Sequence, residues 1–139
     1  MSTEIISKTA KIVRPAEEIY AVLSDFTRLL SEIPPELKNE YKFTVTSTEC
    51  TVQAKNGCMG LRIIDQEPPK MLKYESVGKL PFSFLLWVQL KQKEFNDTRM
   101  RIVMRANLNA FTKMVLSKKL ETGINELVDR LAQAMNRGL

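Results

Sequence analysis

A stretch in the middle of the chain alternates apolar and other side chains in the manner of a β-strand. In PFSFLLWVQLKQKEF, residues 81–95, every second position from Phe82 to Leu90 is apolar. This period of two is typical of a strand with one face on a core. Leu85 and Trp87 fall on the opposite face, which should meet water. The next strand, TRMRIVMRANLNA, alternates more cleanly, with apolar residues at every even position from Met100 to Leu108 and with Arg99, Arg101 and Arg105 at odd positions.

Three segments show helical spacing instead. Pro15 with two glutamates behind it predicts the start of a first helix, AEEIYAVLSDF. Asp25 predicts the cap of a second short helix, FTRLLSEI. Residues 111–137 keep apolar side chains three and four apart, which predicts a long amphipathic helix. Gly123 interrupts that helix, and close approach to the sheet, a slight bend and a neutral position all remain open.

The order of elements is one strand, two short helices, six strands and one long helix. Consecutive strands joined by short turns must be antiparallel. A sheet with one apolar face is most economically covered by the long helix. The sequence therefore predicts an α+β fold, with a curved seven-stranded antiparallel sheet wrapped around a long C-terminal helix and two short helices after strand one. No repeat or linker divides the chain, so we expect one domain over residues 1–139.

Turn residues predict how two pairs of strands align. The pair Asn56-Gly57 is the strongest two-residue hairpin signal in the chain. With that turn, Val52 would face Leu61 across the two strands. The same register places Cys50 on the inner face and Cys58 on the outer face. Because their Cβ atoms would point to opposite faces, we expect two free thiols rather than a disulfide.

The last hairpin predicts an unusual outer face. A three-residue loop at 95–97 keeps the apolar positions of both strands on one face, and it would set Trp87 opposite Arg105 in a cation–π contact. It also opposes like charges, Lys91 to Arg101 and Lys93 to Arg99. Opposed like charges are unfavourable. Such a ladder is compatible with a polyanion, with an acidic partner, or with long side chains that splay into water.

Composition and charge narrow the function classes. The chain of 139 residues is 44% hydrophobic and carries a formal net charge of +5. Acidic residues are interspersed with the basic ones, so we do not predict nucleic-acid binding. No apolar run approaches the ~20 residues of a membrane span, so we predict no stable membrane insertion. The N-terminus lacks a basic segment followed by an apolar one, and we therefore expect a cytoplasmic protein.

The chain contains no histidine and only two cysteines. The missing histidine excludes imidazole acid–base catalysis and histidine-dependent triads. Two cysteines cannot complete a four-ligand zinc site alone. No set of catalytic residues stands out, and we predict no metal and no cofactor.

Three passages carry a resemblance to a known superfamily. They are VRPAEEIYAVLSDFTRL after the first strand, IIDQEPPKMLKYES at the turn between the fourth and fifth strands, and the terminal helix. Together they resemble the helix-grip (SRPBCC) superfamily, which includes START lipid-transfer domains, birch-pollen-allergen-like proteins and polyketide cyclases. The resemblance covers essentially the whole chain. It implies a cavity between the sheet and the long helix in which an apolar ligand is bound or modified.

Side chains on the inner face and on the facing helix are the candidate lining of that cavity. They are Val52, Leu61, Ile63, Tyr74, Leu86, Val88, Leu90, Met104, Leu108, Leu120, Ile124 and Leu127. Pockets of this kind are mostly apolar with few polar groups. Tyr74 is the candidate polar contact, because a buried phenol requires a hydrogen-bond partner.

Three functions remain open at this point. The first is a binding module for a small apolar or lipid-like ligand, without covalent chemistry. The second is an enzyme of cyclase or dehydratase type, in which Tyr74 and an inward-facing Asp65 would be the acid and base; a solvated turn position is the alternative for Asp65. The third is a protein-interaction module that acts through Leu85, Trp87 and Arg105 on the outer face, on a partner or as a weak homodimer.

Overall fold

The computed structural model describes residues 2–31, 42–54 and 57–137 of the chain. The helices in these ranges are α1 (Ala16–Leu23), α2 (Phe26–Ser31) and α3 (Ala110–Asn136). The strands are β1 (Ser2–Ile6), β2 (Ala10–Ile12), β3 (Lys42–Val45), β4 (Glu49–Ala54), β5 (Gly57–Glu67), β6 (Met71–Gly78), β7 (Phe84–Glu94) and β8 (Asp97–Asn107). The expected turn residue Asn56 lies outside the described residues.

The strands form one antiparallel sheet with the order β1-β8-β7-β6-β5-β4-β3, and β2 also pairs with β8. The helix α3 packs against β1, β2 and β8. The predicted α+β helix-grip architecture is therefore confirmed. The helix starts are also where the sequence placed them, since Pro15 directly precedes α1 and the Asp25 side chain accepts from Thr27 N at 3.0 Å before α2.

The sequence EIISKTAKIV, residues 4–13, predicts one first strand, but that strand is divided into β1 and β2. Residues 7–9 leave the ladder between β1 and β2, and the Ser7 hydroxyl accepts a hydrogen bond from Ile102 N at 2.8 Å. The next backbone amide, Lys8 N, donates to Asn125 Oδ1 of α3 at 2.7 Å. Because these partners lie more than ninety residues away in the sequence, the local hydrophobic pattern does not reveal the break.

The predicted register of the β4–β5 hairpin is wrong by two residues. Val52 pairs with Met59 rather than with Leu61. A shift of two residues keeps every side chain on its predicted face. Glycine positions explain the shift: a Cβ atom at Gly60 would overlap the carbonyl oxygen of Cys50. The observed register thus puts a residue without a side chain where the two backbones approach most closely.

The predicted register of the β7–β8 hairpin is wrong by the same amount. The strands pair Trp87 with Val103 and Leu85 with Arg105. A bulge between Gln92 and Glu94 takes up the extra residue that we had assigned to the loop. Because Asp97 pairs with Glu94 inside the ladder, the loop is shorter than the predicted 95–97.

The described residues include no helix that is both long and apolar enough to span a membrane.

The C-terminal half of α3 is hydrogen-bonded to β2 and to the two residues that follow it. The Asn136 side chain accepts from Val13 N at 2.8 Å and donates to Lys11 O at 3.2 Å, and Arg14 Nε donates to Met135 O at 2.8 Å. These bonds hold the C-terminal end of α3, where Val128, Ala132 and Met135 are buried in the core.

Candidate functional site

The inner face of the sheet is mostly apolar but is not equally covered along its width. Inward side chains of β6, β7 and β8 are buried in a continuous core with α1 and the C-terminal half of α3. Inward side chains at the other end of the sheet are only half-buried; those packed against the core are Val45, Cys50, Leu61, Ile63 and Phe84, with Phe82 just before β7 and Leu120 from α3. Val52 of β4 is half-buried beside them. The half-buried end is the candidate functional site, because it is the apolar interior surface that packing leaves incomplete.

The structure divides the predicted lining residues into three groups. Those in the closed core are Tyr74, Leu86, Val88, Leu90, Met104, Leu108 and Ile124. Those at the half-buried end are Val52, Leu61, Ile63 and Leu120. Leu127 was placed wrongly: it is 39% exposed, since the buried stripe of α3 continues through Val128 and Ala132. Only the second group borders the incompletely packed interior.

Four residues of the half-buried end were absent from the predicted lining: Val45, Cys50, Phe82 and Phe84. Phe82 and Phe84 pack against the core from the start of β7, with ring centroids 6.1 Å apart. Val45 approaches from β3. The alternation that identified β7 already includes both phenylalanines, so the signal for them was present in the sequence. The position of Val45 depends on pairing across three strands, which the sequence pattern alone does not supply.

Tyr74 is a core residue whose hydroxyl is already satisfied. Its Oη donates to the Leu23 carbonyl oxygen at 2.7 Å, and its ring packs on Phe26 at a centroid distance of 5.7 Å. Burial raises the pKa of this phenol far above its ordinary value, and the neighbouring Tyr20 adds to the shift. A phenol in this state is neither a ready acid nor a free ligand contact.

Asp65 lies on the outer face. A register shift between Ile63 and Asp65 interrupts the alternation, so that Asp65 pairs with Lys73 of β6. The side chain is exposed, and its Oδ1 accepts from Gln66 N at 2.9 Å. The solvated position that we had kept as the alternative is therefore the observed one, and Asp65 does not converge with Tyr74.

Ionisable groups are scarce on the inner face. In the described strands, the strand pairing leaves Cys50 and Tyr74 as the inward residues that can titrate, and the other inward positions are apolar or neutral polar. Burial raises the pKa of the half-buried Cys50 thiol. Both cysteines are free, with Cys58 exposed, which confirms the predicted thiol state. No cluster of acidic and cysteine side chains among the described residues could hold a metal ion.

The outer face holds Trp87 between cations of its own chain. Lys73 Nζ lies 5.2 Å and Arg105 Cζ 5.5 Å from the centre of the ring. The predicted cation–π contact is thus present, although Arg105 is paired with Leu85 rather than with Trp87. Arg105 Nη2 also lies 3.2 Å from Oε2 of Glu4, which is opposite it on the neighbouring strand β1. The interaction role assigned to Leu85, Trp87 and Arg105 stays a prediction.

The expected ladder of opposed like charges is largely relieved. Arg101 faces Gln89, and its Nε donates to Gln89 Oε1 at 2.6 Å. Arg99 forms a two-point ion pair with Asp97 at 2.9 and 3.2 Å. Arg99 still stands opposite two cations, Lys91 of β7 and Lys11 of β2. The three arginines on this face of β8 therefore each contact a polar or acidic side chain of the same chain.

Comparisons with known proteins support the fold and no finer assignment. Neither a protein-family model nor a curated protein matches the chain. Norcoclaurine synthase from Thalictrum flavum, in complex with dopamine and hydroxybenzaldehyde, is similar with a TM-score of 0.75 at 9% identity, over 99% of this chain and 86% of that one. An uncharacterised protein from Bacillus thuringiensis gives 0.66 at 13% identity, over 99% and 97% of the two chains.

A protein from Mesorhizobium loti gives a TM-score of 0.66 at 14% identity and covers 99% of its own length and all of this chain. At such identities the likeness concerns the fold and not the chemistry. The chain therefore has the helix-grip fold that its sequence resemblance implied.

Proposed function

We propose that the protein binds a small apolar or lipid-like ligand between the inner face of the sheet and α3, without covalent chemistry. The observation that carries the proposal is the uneven packing of the inner face. Apolar side chains such as Leu61 and Phe84 are left half-buried beside a core that is otherwise closed. Burying more of that apolar surface with a ligand would be favourable by about 25 cal/mol per Å².

The chemistry of the inner face favours an uncharged ligand. The inward positions of the described strands present no carboxylate and no basic group. A charged ligand group would therefore lose its hydration without gaining a partner there. Ser76, which pairs with Leu61 on the same face, is a polar side chain beside the site, and its hydroxyl already accepts from Phe84 N at 3.0 Å.

Two further observations support binding without catalysis. The hydroxyl of Tyr74 is taken up by a backbone carbonyl, and Asp65 is on the other side of the sheet. Proton transfer needs an acid or base within hydrogen-bond reach of the reacting atom. The norcoclaurine synthase structure of the same fold holds two small aromatic molecules, dopamine and hydroxybenzaldehyde, which supports small-molecule binding by this fold. A cytoplasmic site of action, in which both thiols stay reduced, is part of this proposal.

The test is a fluorescence titration with N-phenyl-1-naphthylamine, an uncharged apolar probe. Neighbouring isoleucines of β5 provide matched variants, because Ile63 is half-buried on the inner face whereas Ile64 is exposed at the bulge. We expect saturable binding to the wild type and about tenfold weaker binding to Ile63→Gln, since an amide placed in an apolar site must be desolvated. Ile64→Gln should bind the probe like the wild type.

Absence of saturable binding by the wild type would contradict the proposal. Equal losses in Ile63→Gln and Ile64→Gln would also contradict it, because they would indicate binding outside the inner face. Urea unfolding of both variants provides the control that each still folds cooperatively.

A further inference from the structure

The first three turns of α3 present an apolar surface that their own chain does not cover. Phe111 is 71% exposed, Met114 77% and Val115 49%. Their spacing of three and four residues puts them on one side of the helix. The opposite side of the same turns carries Leu116 and Leu120, which are half-buried towards the interior.

Lysines occupy the same outward side. At 100° per residue, Lys118 and Lys119 fall with the three apolar residues into an arc of about 140°. Both lysines are exposed, and residues 110–120 contain no carboxylate. The first acidic residue of the helix, Glu121, lies towards β1, where it lines a depression with Lys113 and Ser117. The next on the outward arc is Glu126, two turns beyond Lys119.

We propose that this face of α3, made of Phe111, Met114, Val115, Lys118 and Lys119, docks the protein onto an anionic membrane surface. An amphipathic helix of this kind lies in the interface with its apolar side chains among the acyl chains and its lysines at the anionic headgroups. The surface adds peripheral attachment to the proposed binding of an apolar ligand and does not depend on that function.

Size and charge favour a membrane over a protein partner. The surface is about 12 Å long and about 10 Å wide. A stable protein interface buries roughly 800 Å² on each partner, which is several times the area available. A second copy laid on the same arc would bring four lysine ammonium groups together without a carboxylate between them. A bilayer needs no such area, because a few inserted side chains and adjacent lysines suffice for reversible binding.

The test is co-sedimentation of the full chain with vesicles of phosphatidylcholine and phosphatidylserine at about 7:3, compared with pure phosphatidylcholine. We expect binding to the anionic vesicles that weakens at high salt. Lys118→Gln/Lys119→Gln should lower the partition coefficient about 25-fold, at about fivefold per lysine. Phe111→Ser/Met114→Ser should lower it at least about tenfold.

Matched controls lie on the opposite end of the molecule. Lys91→Gln/Lys93→Gln removes the same charge from exposed positions of β7, and Phe95→Ser removes another apolar side chain that is 75% exposed. Neither control should change binding more than about twofold if the docking surface is correctly placed.

Failure of the wild type to enrich on the anionic vesicles would overturn the proposal. An equal loss of vesicle binding in the control variants would show that the docking surface is not on this face of α3. A dimer seen by light scattering that Phe111→Ser/Met114→Ser abolishes would assign the surface to a second copy of the chain and would overturn the membrane assignment.

Discussion

Tyr74 shows what a single residue's position in the alternation can and cannot predict. The period of two correctly put Tyr74 on the inner face, and a buried phenol was correctly expected to have a hydrogen-bond partner. The partner is the Leu23 carbonyl at the end of α1, fifty-one residues earlier in the chain. No local pattern contains that contact, so the sequence left open whether the hydroxyl serves the fold or a ligand.

We expect Tyr74→Phe to destabilise the protein by about 1–2 kcal/mol, because it leaves the Leu23 carbonyl without its donor. Probe binding should be unchanged. The same variant should lose less stability at alkaline pH. Burial raises the folded-state pKa of Tyr74 above the unfolded value of about 10, so its contribution is complete below that pH and declines as the pH rises further. Urea unfolding between pH 8 and 11 measures both effects.

Tyr20→Phe is the comparison, since its hydroxyl donates to Met71 O at the longer distance of 3.1 Å and should matter less. Unaltered stability of Tyr74→Phe together with weaker binding of the probe would show that the hydroxyl faces the ligand instead.

At the scale of elements, the sequence predicted the faces of the strands better than their alignment. Both predicted hairpin registers were wrong by two residues, yet the same side chains face inward as predicted. Burial against the core determines which face of a strand points inward, whereas the turn and the distance between the two backbones determine which residues pair. The bulge that turns Asp65 outward was likewise hidden, since Ile63 and Ile64 are both apolar and continue the strand pattern. The spacing in α3 predicted the helix but placed Leu127 rather than Val128 in the core.

Two glycines should respond in opposite ways to alanine. Gly60→Ala should destabilise by at least about 2–3 kcal/mol, because the new Cβ meets the Cys50 carbonyl on β4. Gly123→Ala should stabilise by about 0.5–1 kcal/mol, because nothing lies within 4 Å of a Cβ at that site in α3 and the unfolded chain loses freedom. Thermal unfolding of the two variants measures both changes, and a stabilised Gly60→Ala would show that the β4–β5 register is wrong.

For the whole molecule, the order of elements and the resemblance were sufficient to predict the helix-grip fold, which the structure and its structural neighbours confirm. The extent of the candidate site was not predictable in the same way. Leu86 in the closed core and Leu61 at the half-buried end are both leucines at inward positions, so the sequence does not distinguish them. That distinction depends on where α3 lies across the sheet, and α3 packs on β1, β2 and β8.

The two cysteines allow the most direct test that a ligand occupies this interior. Cys50 is half-buried on the inner face of β4, and burial raises its pKa, whereas Cys58 is exposed on β5. Modification by a small maleimide at neutral pH, located by peptide mass spectrometry, should therefore label Cys58 faster, since the thiolate is the reactive form. Saturating N-phenyl-1-naphthylamine should slow the labelling of Cys50 at least about tenfold and leave Cys58 unchanged. An unchanged rate at Cys50, with the probe bound, would contradict ligand binding on the inner face.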